Sequence, residues 1–410
     1  MIPVDEALAI VLGETHALPT EEVALEDAPG RVLARDVRSD ADMPPFDRAA
    51  MDGYAVRAAD VVSAPATLTL RGEVAAGVWP DREVGSGEAI RIMTGAPVPR
   101  GATAVQQVEK TREVDEFRVT VLESVTDGAH IARRGSEGRA GEVVLERGRV
   151  VGPSTVAVLA AVGGARVTVG RRPVVAILVT GDEIVPAQAT PGPGQIRNSN
   201  GPALAAQARL AGAEVRLLEV APDREDETVA AVRAGLAEGP DVLAISGGVS
   251  AGDYDLVEPA LEQLGVELLF TKVAIKPGAP LVFGRRSPTL VFGLPGNPVS
   301  AQVTFDVFVR AALLRMQGAA VVSRPWVEVE LLAPVKNRSG RRAHVPARVR
   351  FEDGRLVARP VPSMGSGDLV AHARANALVA LDAGRTLVDA GETAEAVLLG
   401  GFLEDDGAPI

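Results

Sequence analysis

The segments Pro173-Val-Val-Ala-Ile-Leu-Val-Thr-Gly-Asp-Glu183 and Asp241-Val-Leu-Ala-Ile-Ser-Gly-Gly-Val-Ser250 decide the fold. Each is a continuous apolar run of strand length that stops at a glycine turn. Apolar runs without polar alternation belong to strands covered on both faces, which favours parallel pairing. Between the two lie AEVRLLEV and two helical patterns, one from about Asn200 to Ala211 and one opening at Asp223, with Asn200 and Asp223 read as N-caps. Strand and helix alternate from Arg171 to about Met316, so the centre of the chain is predicted to be a doubly wound α/β domain. Ligands of such sheets sit outside the carboxyl ends of the strands, where TGDE, SGGVSAGDYD and GLPGNP converge in this reading.

Outward from that rim, the glycine turns SGGVSAGDYD and GLPGNPVS bracket Lys272-Val-Ala-Ile-Lys276-Pro-Gly. The chain has only four lysines, the others being Lys110 and Lys336, so half of them fall here. Compact ammonium groups beside glycine turns suit an anion: backbone N–H groups freed by glycine wrap phosphate-like oxygens, and lysine adds a mobile point charge.

The flanks read differently. Val4, Leu8, Val11 and Leu12 repeat at helical spacing after Pro3. From about Asp47 to Val151 short β-branched runs such as ATLTLRGEV, FRVTVLESV and GEVVLERGRVV are broken by glycine and proline, as in a β-rich module. Residues 152–170 read as helix, glycine break and strand, packing back on the N-terminal helix and making the β module an insertion. From Arg324 onward WVEVELL, with Val327, Val329 and Leu331 alternating with acids, opens a small β-barrel or sandwich without a strong helix. The expected division is 1–46 with 147–170, 47–146, 171–322, and 323–410.

A chain of 410 residues exceeds one ordinary core. With 54 acidic and 42 basic residues the net charge is −12, which argues against non-specific attraction to nucleic acid or to an anionic membrane. No cysteine is present, so disulfides and thiolate sites are excluded, and the four scattered histidines do not form a zinc pattern. The start carries acids where a signal peptide carries bases, and no apolar run reaches membrane-helix length, so the cytoplasm is the expected location.

Glu183, at the end of the first α/β strand, and Asp253, after the DVLAIS strand, are two carboxylates that could meet at the rim around a hard cation. Taken singly, each loop acid is as well explained as a solvated turn former, the lysines as a strand edge, and each proline as a strand stop. Pro277, Pro280, Pro295 and Pro298 together stiffen one rim, which lowers the entropy lost on binding. PPFDRAAMDGYAVR (44–57) and RIMTGAPVPRGATAV (91–105) read as ordered loops, and Arg133-Arg134-Gly-Ser-Glu137 as a solvated mixed-charge patch.

In this order, PPFDRAAMDGYAVR, RIMTGAPVP, RRGSEG, VTGDEIV, GQIRNSN, SGGVSAGDYD, KVAIKPGAP and GLPGNPVS closely resemble the molybdopterin molybdenumtransferases, the group of bacterial MoeA proteins and the gephyrin C-terminal domain. The resemblance covers essentially the whole chain. It implies hydrolysis of adenylylated molybdopterin, insertion of molybdenum from molybdate, and release of AMP, with Mg2+ or a similar divalent ion as cofactor. It further implies Asp52, Glu183, Asp253, Lys272 and Lys276 as catalytic residues, with Glu183 and Asp253 as metal ligands. Substrate contacts would come from Thr94, Gly181, Asp182, Asp223, Ser246, Gly247, Gly248, Ser250, Pro277, Gly278, Pro295, Gly296, Asn297, Pro298 and Ser366.

Resemblance to this family also implies a homodimer in which the loop of Asp52 reaches the other protomer's site, and the molybdopterin adenylyltransferase as a candidate partner. Relatives carry Arg-Gly-Glu-Asp where this chain has Arg134-Gly-Ser-Glu137, so Glu137 receives no role, and Arg341 and Arg342 compete for one arginine position. Two other classes share parts of the pattern. A non-catalytic scaffold, suggested because the gephyrin relative also binds receptor tails, would release no AMP, and the adenylyltransferases lack the β module with MDGYAVR.

Overall fold

The computed structural model describes residues 1–248 and 256–400 and divides into two compact units. One comprises Met1–Arg35, Arg147–Gly152 and Arg166–Ile410, the other Asp36–Glu146 and Pro153–Ala165. The β-rich module is thus an insertion that the chain leaves and re-enters.

In the larger unit a six-stranded sheet runs in the order Glu214–Leu217, Val174–Val179, Val242–Ser246, Thr289–Leu294, Pro280–Arg286, Glu267–Lys272. The first four strands are parallel, as their continuous apolar runs predict. Val175, Ile177, Val242 and Ala244 face a core shared with helix Asn200–Leu210, while Ala176, Leu178, Leu243 and Ile245 face one shared with helices Glu225–Ala237 and Val257–Gln263. Burial on both faces removes the need for polar alternation. The last two strands depart from parallel pairing. Only Ser287 and Pro288 separate Pro280–Arg286 from Thr289–Leu294, and a two-residue connection closes a hairpin but cannot cross over a sheet.

Both expected N-caps are corrected. Asn200 is the first residue of its helix, preceded by Ser199, and its amide points inward; the second helix begins at Glu225 with Arg224 at its cap position. Glu225, Asp226 and Glu227 occupy that first turn, where carboxylates offset the positive helix end. The N-terminal helix Val4–Glu14 forms as predicted, but Val4, Ala7 and Val11 enter the α/β core with Phe305, Phe308 and Leu313. Residues 152–170 divide between the two units. Helix Pro153–Ala161 belongs to the inserted unit, whereas strand Arg166–Gly170 pairs with Thr20–Ala24.

The C-terminal part forms a barrel. Arg342–Glu352, Arg355–Pro360, Trp326–Leu331, Thr393–Leu398 and Ala377–Leu381 pair in sequence, and the last pairs back onto the first. Val329 and Leu331 point inward, as their alternation with acids predicts. One short helix, Leu369–Ala373, was not expected; Asp368 caps it by accepting from the Ala371 N–H.

The inserted unit holds a six-stranded sheet ordered Ala104–Gln107, Gly53–Val56, Glu88–Ile92, Ala66–Val74, Arg118–Val121, Thr111–Asp115. The loop reading of residues 44–57 is therefore corrected: Gly53–Val56 is a strand paired on both edges with all four residues buried. Short strands buried on both faces show no alternation. Gly53 is required there, because a Cβ would fall 1.9 Å from the Gln106 carbonyl oxygen. Part of the segment at 91–105 is likewise strand, through Glu88–Ile92 and Ala104–Gln107.

Candidate functional site

A cavity of about 1040 Å³ opens at the carboxyl ends of the parallel strands, and all of its lining residues lie in the larger unit. Three of its walls are strand-end turns: Thr180 and Glu183 after Val174–Val179, Ser246–Gly248 after Val242–Ser246, and Pro295–Pro298 after Thr289–Leu294. The Lys276–Gly278 segment adds a fourth, and Arg341 and Ser366 come from the C-terminal part. Ser366 is anchored through its carbonyl, which accepts from the Val299 N–H at 3.0 Å.

Glycine is dictated at the turn after Val242–Ser246. Gly247 has φ +110°, and a Cβ there would meet the Thr180 carbonyl oxygen at 2.6 Å. The turn is held by the Gly247 N–H donating to the Leu294 carbonyl at 3.2 Å. Beneath it the buried Asn200 amide donates to Ser246 Oγ at 2.8 Å and to the Gly296 carbonyl at 2.7 Å. Ser246 Oγ in turn donates to the Pro295 carbonyl at 3.1 Å.

The cavity carries cations that lack ion-pair partners among the described residues. Among the described residues Lys276, Arg197 and Arg341 form no ion pair, so their charge is available to an anion. Among the described residues its acids are Glu183 and Asp223. Burial raises the Asp223 carboxyl above the ordinary range; the nearby Thr180 hydroxyl opposes this, and the charges of Glu183 and Asp182 add to it. That hydroxyl nonetheless meets no partner in hydrogen-bond geometry among the described residues.

Of the residues singled out in the sequence, Glu183, Asp223, Ser246, Gly247, Gly248, Lys276, Pro277, Gly278, Pro295, Gly296, Asn297, Pro298 and Ser366 line this cavity. Gly181, Asp182 and Lys272 do not. Lys272 ends the strand Glu267–Lys272 opposite Pro280, and the chain then turns so that Ile275–Lys276 pairs with Arg342–Ala343. Asp253 and Ser250 lie outside the described residues. Arg341 faces the cavity, whereas Arg342 is paired with Asp5 at 2.7 Å and Asp382 at 2.9 Å.

Sequence reasoning missed Asn198, Asn200 and Ser300, which also line the cavity. The motif GQIRNSN was the available signal for the first two. Among the described residues no group of three or more His, Asp or Glu side chains is arranged to hold a metal. Glu183 and Asp223 still fit a divalent ion in part: the Asp223 carboxyl, raised chiefly by burial, also feels the charge of Glu183, which a cation would relieve.

Asp52 and Thr94 belong to the inserted unit. The Thr94 N–H and hydroxyl both donate to Asp52 Oδ1, at 2.6 and 2.7 Å. The patch at 133–137 is an exposed ion-pair network: Arg133 with Asp47, Arg134 with Asp42, and Glu137 with Arg48, each at 2.7 Å.

Comparison with known proteins gives one answer along the chain. Residues 2–163 match the MoeA N-terminal region (domain I and II), 176–315 a probable molybdopterin binding domain, and 328–399 the MoeA C-terminal region (domain IV). The sequence is 36% identical over 405 residues to the molybdopterin molybdenumtransferase of Bacillus subtilis, covering 97% of this chain and 94% of that protein. It is 33% identical to that of Staphylococcus aureus, covering 97% and 95%. A crystal structure of the molybdopterin biosynthesis MoeA protein from Pyrococcus horikoshii superposes with a TM-score of 0.82 at 34% identity, over 97% of this chain and all of that one.

Proposed function

This chain belongs to the molybdopterin molybdenumtransferase family, an enzyme family of molybdenum cofactor biosynthesis, and from that premise we propose how its cavity works. The substrates are adenylylated molybdopterin and molybdate; molybdenum is inserted and AMP released. The observation that carries the reading is a cavity at a parallel-sheet rim where Lys276 and Arg341, among the described residues, form no ion pair and stand beside glycine turns. Phosphate and oxyanion oxygens need such donors.

In this mechanism the turns at Ser246–Gly248 and Pro295–Pro298 cradle the pterin and its phosphate. Lys276, Arg341 and Ser366 hold the anionic groups. Gly181, Asp182 and Thr94 contribute outer contacts, as does Ser250. Glu183, with Asp223 or Asp253, would hold Mg2+ or a similar ion, which when bound offsets charge developing as the phosphoanhydride breaks. Lys272 adds positive potential from outside the cavity.

The working form is a cytoplasmic homodimer in which Asp52 of one copy completes the cleft of the other, and the molybdopterin adenylyltransferase delivers the substrate. The division into residues 1–46 with 147–170, 47–146, 171–322, and 323–410 describes its parts. Among the described residues no helix is long and apolar enough to cross a membrane.

Purified protein given adenylylated molybdopterin, molybdate and Mg2+ should release AMP and form molybdenum cofactor; pyrophosphate formation from ATP would instead indicate an adenylyltransferase. Mixing inactive Asp52→Ala and Lys276→Ala proteins tests the shared cleft. Random exchange of subunits regenerates about a quarter of intact sites if the cleft is shared, and none if each site lies within one copy.

A further inference from the structure

The buried Asn200 amide has a place in the fold that helix capping does not explain. It is only 8% exposed at the first residue of helix Asn200–Leu210. Both of its N–H bonds are used: one meets Ser246 Oγ at 2.8 Å, the other the Gly296 carbonyl at 2.7 Å. Ser246, 1% exposed, passes the connection to the Pro295 carbonyl at 3.1 Å. A Cβ at Gly296 would lie 3.7 Å from the Gly247 Cα, so the two glycine turns are near neighbours. The Asn200 side chain is therefore a strut between them. An apolar residue would remove the donor from the buried Ser246 Oγ and from the part-buried Gly296 carbonyl, cutting the link between the turns. A carboxylate would set charge against it.

We propose that Asn200 is a positioning residue: its amide sets the spacing of the Ser246–Gly248 and Pro295–Pro298 turns and thereby the arrangement of backbone donors that grip the substrate. This rests on the reading of the cavity as the molybdopterin site. The required chemistry is two donors on one planar group, which asparagine supplies and aspartate does not unless protonated. Even then aspartate supplies one.

Binding of molybdopterin, with adenylate and molybdate withheld so that no turnover occurs, is measured by calorimetry for wild type, Asn200→Asp and Asn200→Ala at pH 8 and pH 5.5. At pH 8 both variants are expected to bind about tenfold more weakly, the scale of one or two lost hydrogen bonds. For Asn200→Asp the ratio to wild type should shrink toward one at pH 5.5, because a carboxyl at this position, where Asn200 is 8% exposed, is raised by burial and gains the proton it needs to donate. For Asn200→Ala it should not. Glu183, Asp223, Lys276, Arg197 and Arg341 face the same cavity in every protein, and the alanine variant measured at both pH values controls for their common effect. Ratios within twofold of one at both pH values would overturn the proposal, and so would weakening of the aspartate variant that is independent of pH, since general loss of packing predicts that result. Should Asn200→Asp not fold, Ser246→Ala carries the test: it removes the middle oxygen of the strut and should weaken binding severalfold, and unchanged binding would overturn the inference. Wild type that binds molybdopterin but releases no AMP in the complete assay would defeat the proposed function while leaving the strut in place, and wild type that binds no molybdopterin would defeat both.

Discussion

Thr94 directs two donors, its backbone N–H and its hydroxyl, at the same oxygen of Asp52, at 2.6 and 2.7 Å. The exposed carboxylate is oriented before any substrate arrives. The backbone bond from Thr94 chiefly, and then its hydroxyl, hold the carboxyl below the usual carboxylate range. Asp52 thus stays ionised to lower pH than a free aspartate. Thr94→Val keeps the backbone donor and deletes the hydroxyl, so the Asp52 carboxyl should rise toward 3.8 and the acid limb of AMP release should move to higher pH. An NMR titration of Asp52 checks the direction, and an unmoved limb would remove the hydroxyl from this role. Asp52→Ala should fold with an unchanged melting temperature and lose insertion.

The two lysines that share one sequence motif should separate in kinetics. Lys276→Ala is expected to weaken binding of the anionic substrate about tenfold to a hundredfold, the scale of a lost charge-assisted hydrogen bond. Lys272→Ala, outside the cavity lining, should change it much less. Both side chains are exposed, so stability should move by no more than about 0.5 kcal/mol in either variant. Equal losses would place Lys272 in direct contact with substrate.

Asp223 offers a test of the divalent ion. Its carboxyl is raised, first by burial, with Glu183 and Asp182 adding to the shift against the Thr180 hydroxyl. A carboxyl raised on folding binds its proton more tightly in the native state, so its contribution turns unfavourable as pH climbs above 3.8 and through the raised value. Asp223→Asn should therefore raise the melting temperature at pH 7 and leave it nearly unchanged below pH 3.8. If Mg2+ is shared with Glu183, added Mg2+ should stabilise wild type and lose that effect in Asp223→Asn or Glu183→Gln. Equal stabilisation of all three would move the ion elsewhere.

His344 should give the protein a separate acid-sensitive step. It is 4% exposed on strand Arg342–Glu352, its Nδ1 meets no partner among the described residues, and burial, with Arg342 nearby, lowers it from 6.5 to about 4. The unfolded chain binds this proton first as pH falls. Stability fully present above pH 6.5 should therefore be lost progressively toward pH 4, by at most about 3 kcal/mol. His344→Leu, of similar volume, should flatten denaturant-midpoint curves in that window, and an unchanged curve would assign the acid limb to other groups.

Much of the fold was legible because burial on both faces leaves a local mark. PVVAILVT and DVLAIS had to be covered strands, and WVEVELL had to show one face to a core, whatever surrounded them. The antiparallel hairpin was legible in principle, since Ser287 and Pro288 leave no room for a crossover. Gly53–Val56 was hidden, because four buried residues between Asp52 and Arg57 carry no period that separates strand from loop.

The candidate site divides along the same line. Sequence by itself determined the family, the glycine turns at Gly247 and Gly296, and the concentration of lysine beside them, because these depend on residue type and order along the chain. Tertiary structure alone decided which members of each pair act together: Lys276 rather than Lys272 at the cavity, Arg341 rather than Arg342, and Asn200 as a strut rather than a cap. Lys272 and Lys276 lie in different strands joined by a turn, Arg341 precedes the strand that Arg342 begins, and an amide at a helix start can serve its own backbone or a distant carbonyl. Direction and partner are set by packing between segments 46 and 96 residues apart, such as Asn200 with Ser246 and Gly296, and no local pattern encodes them.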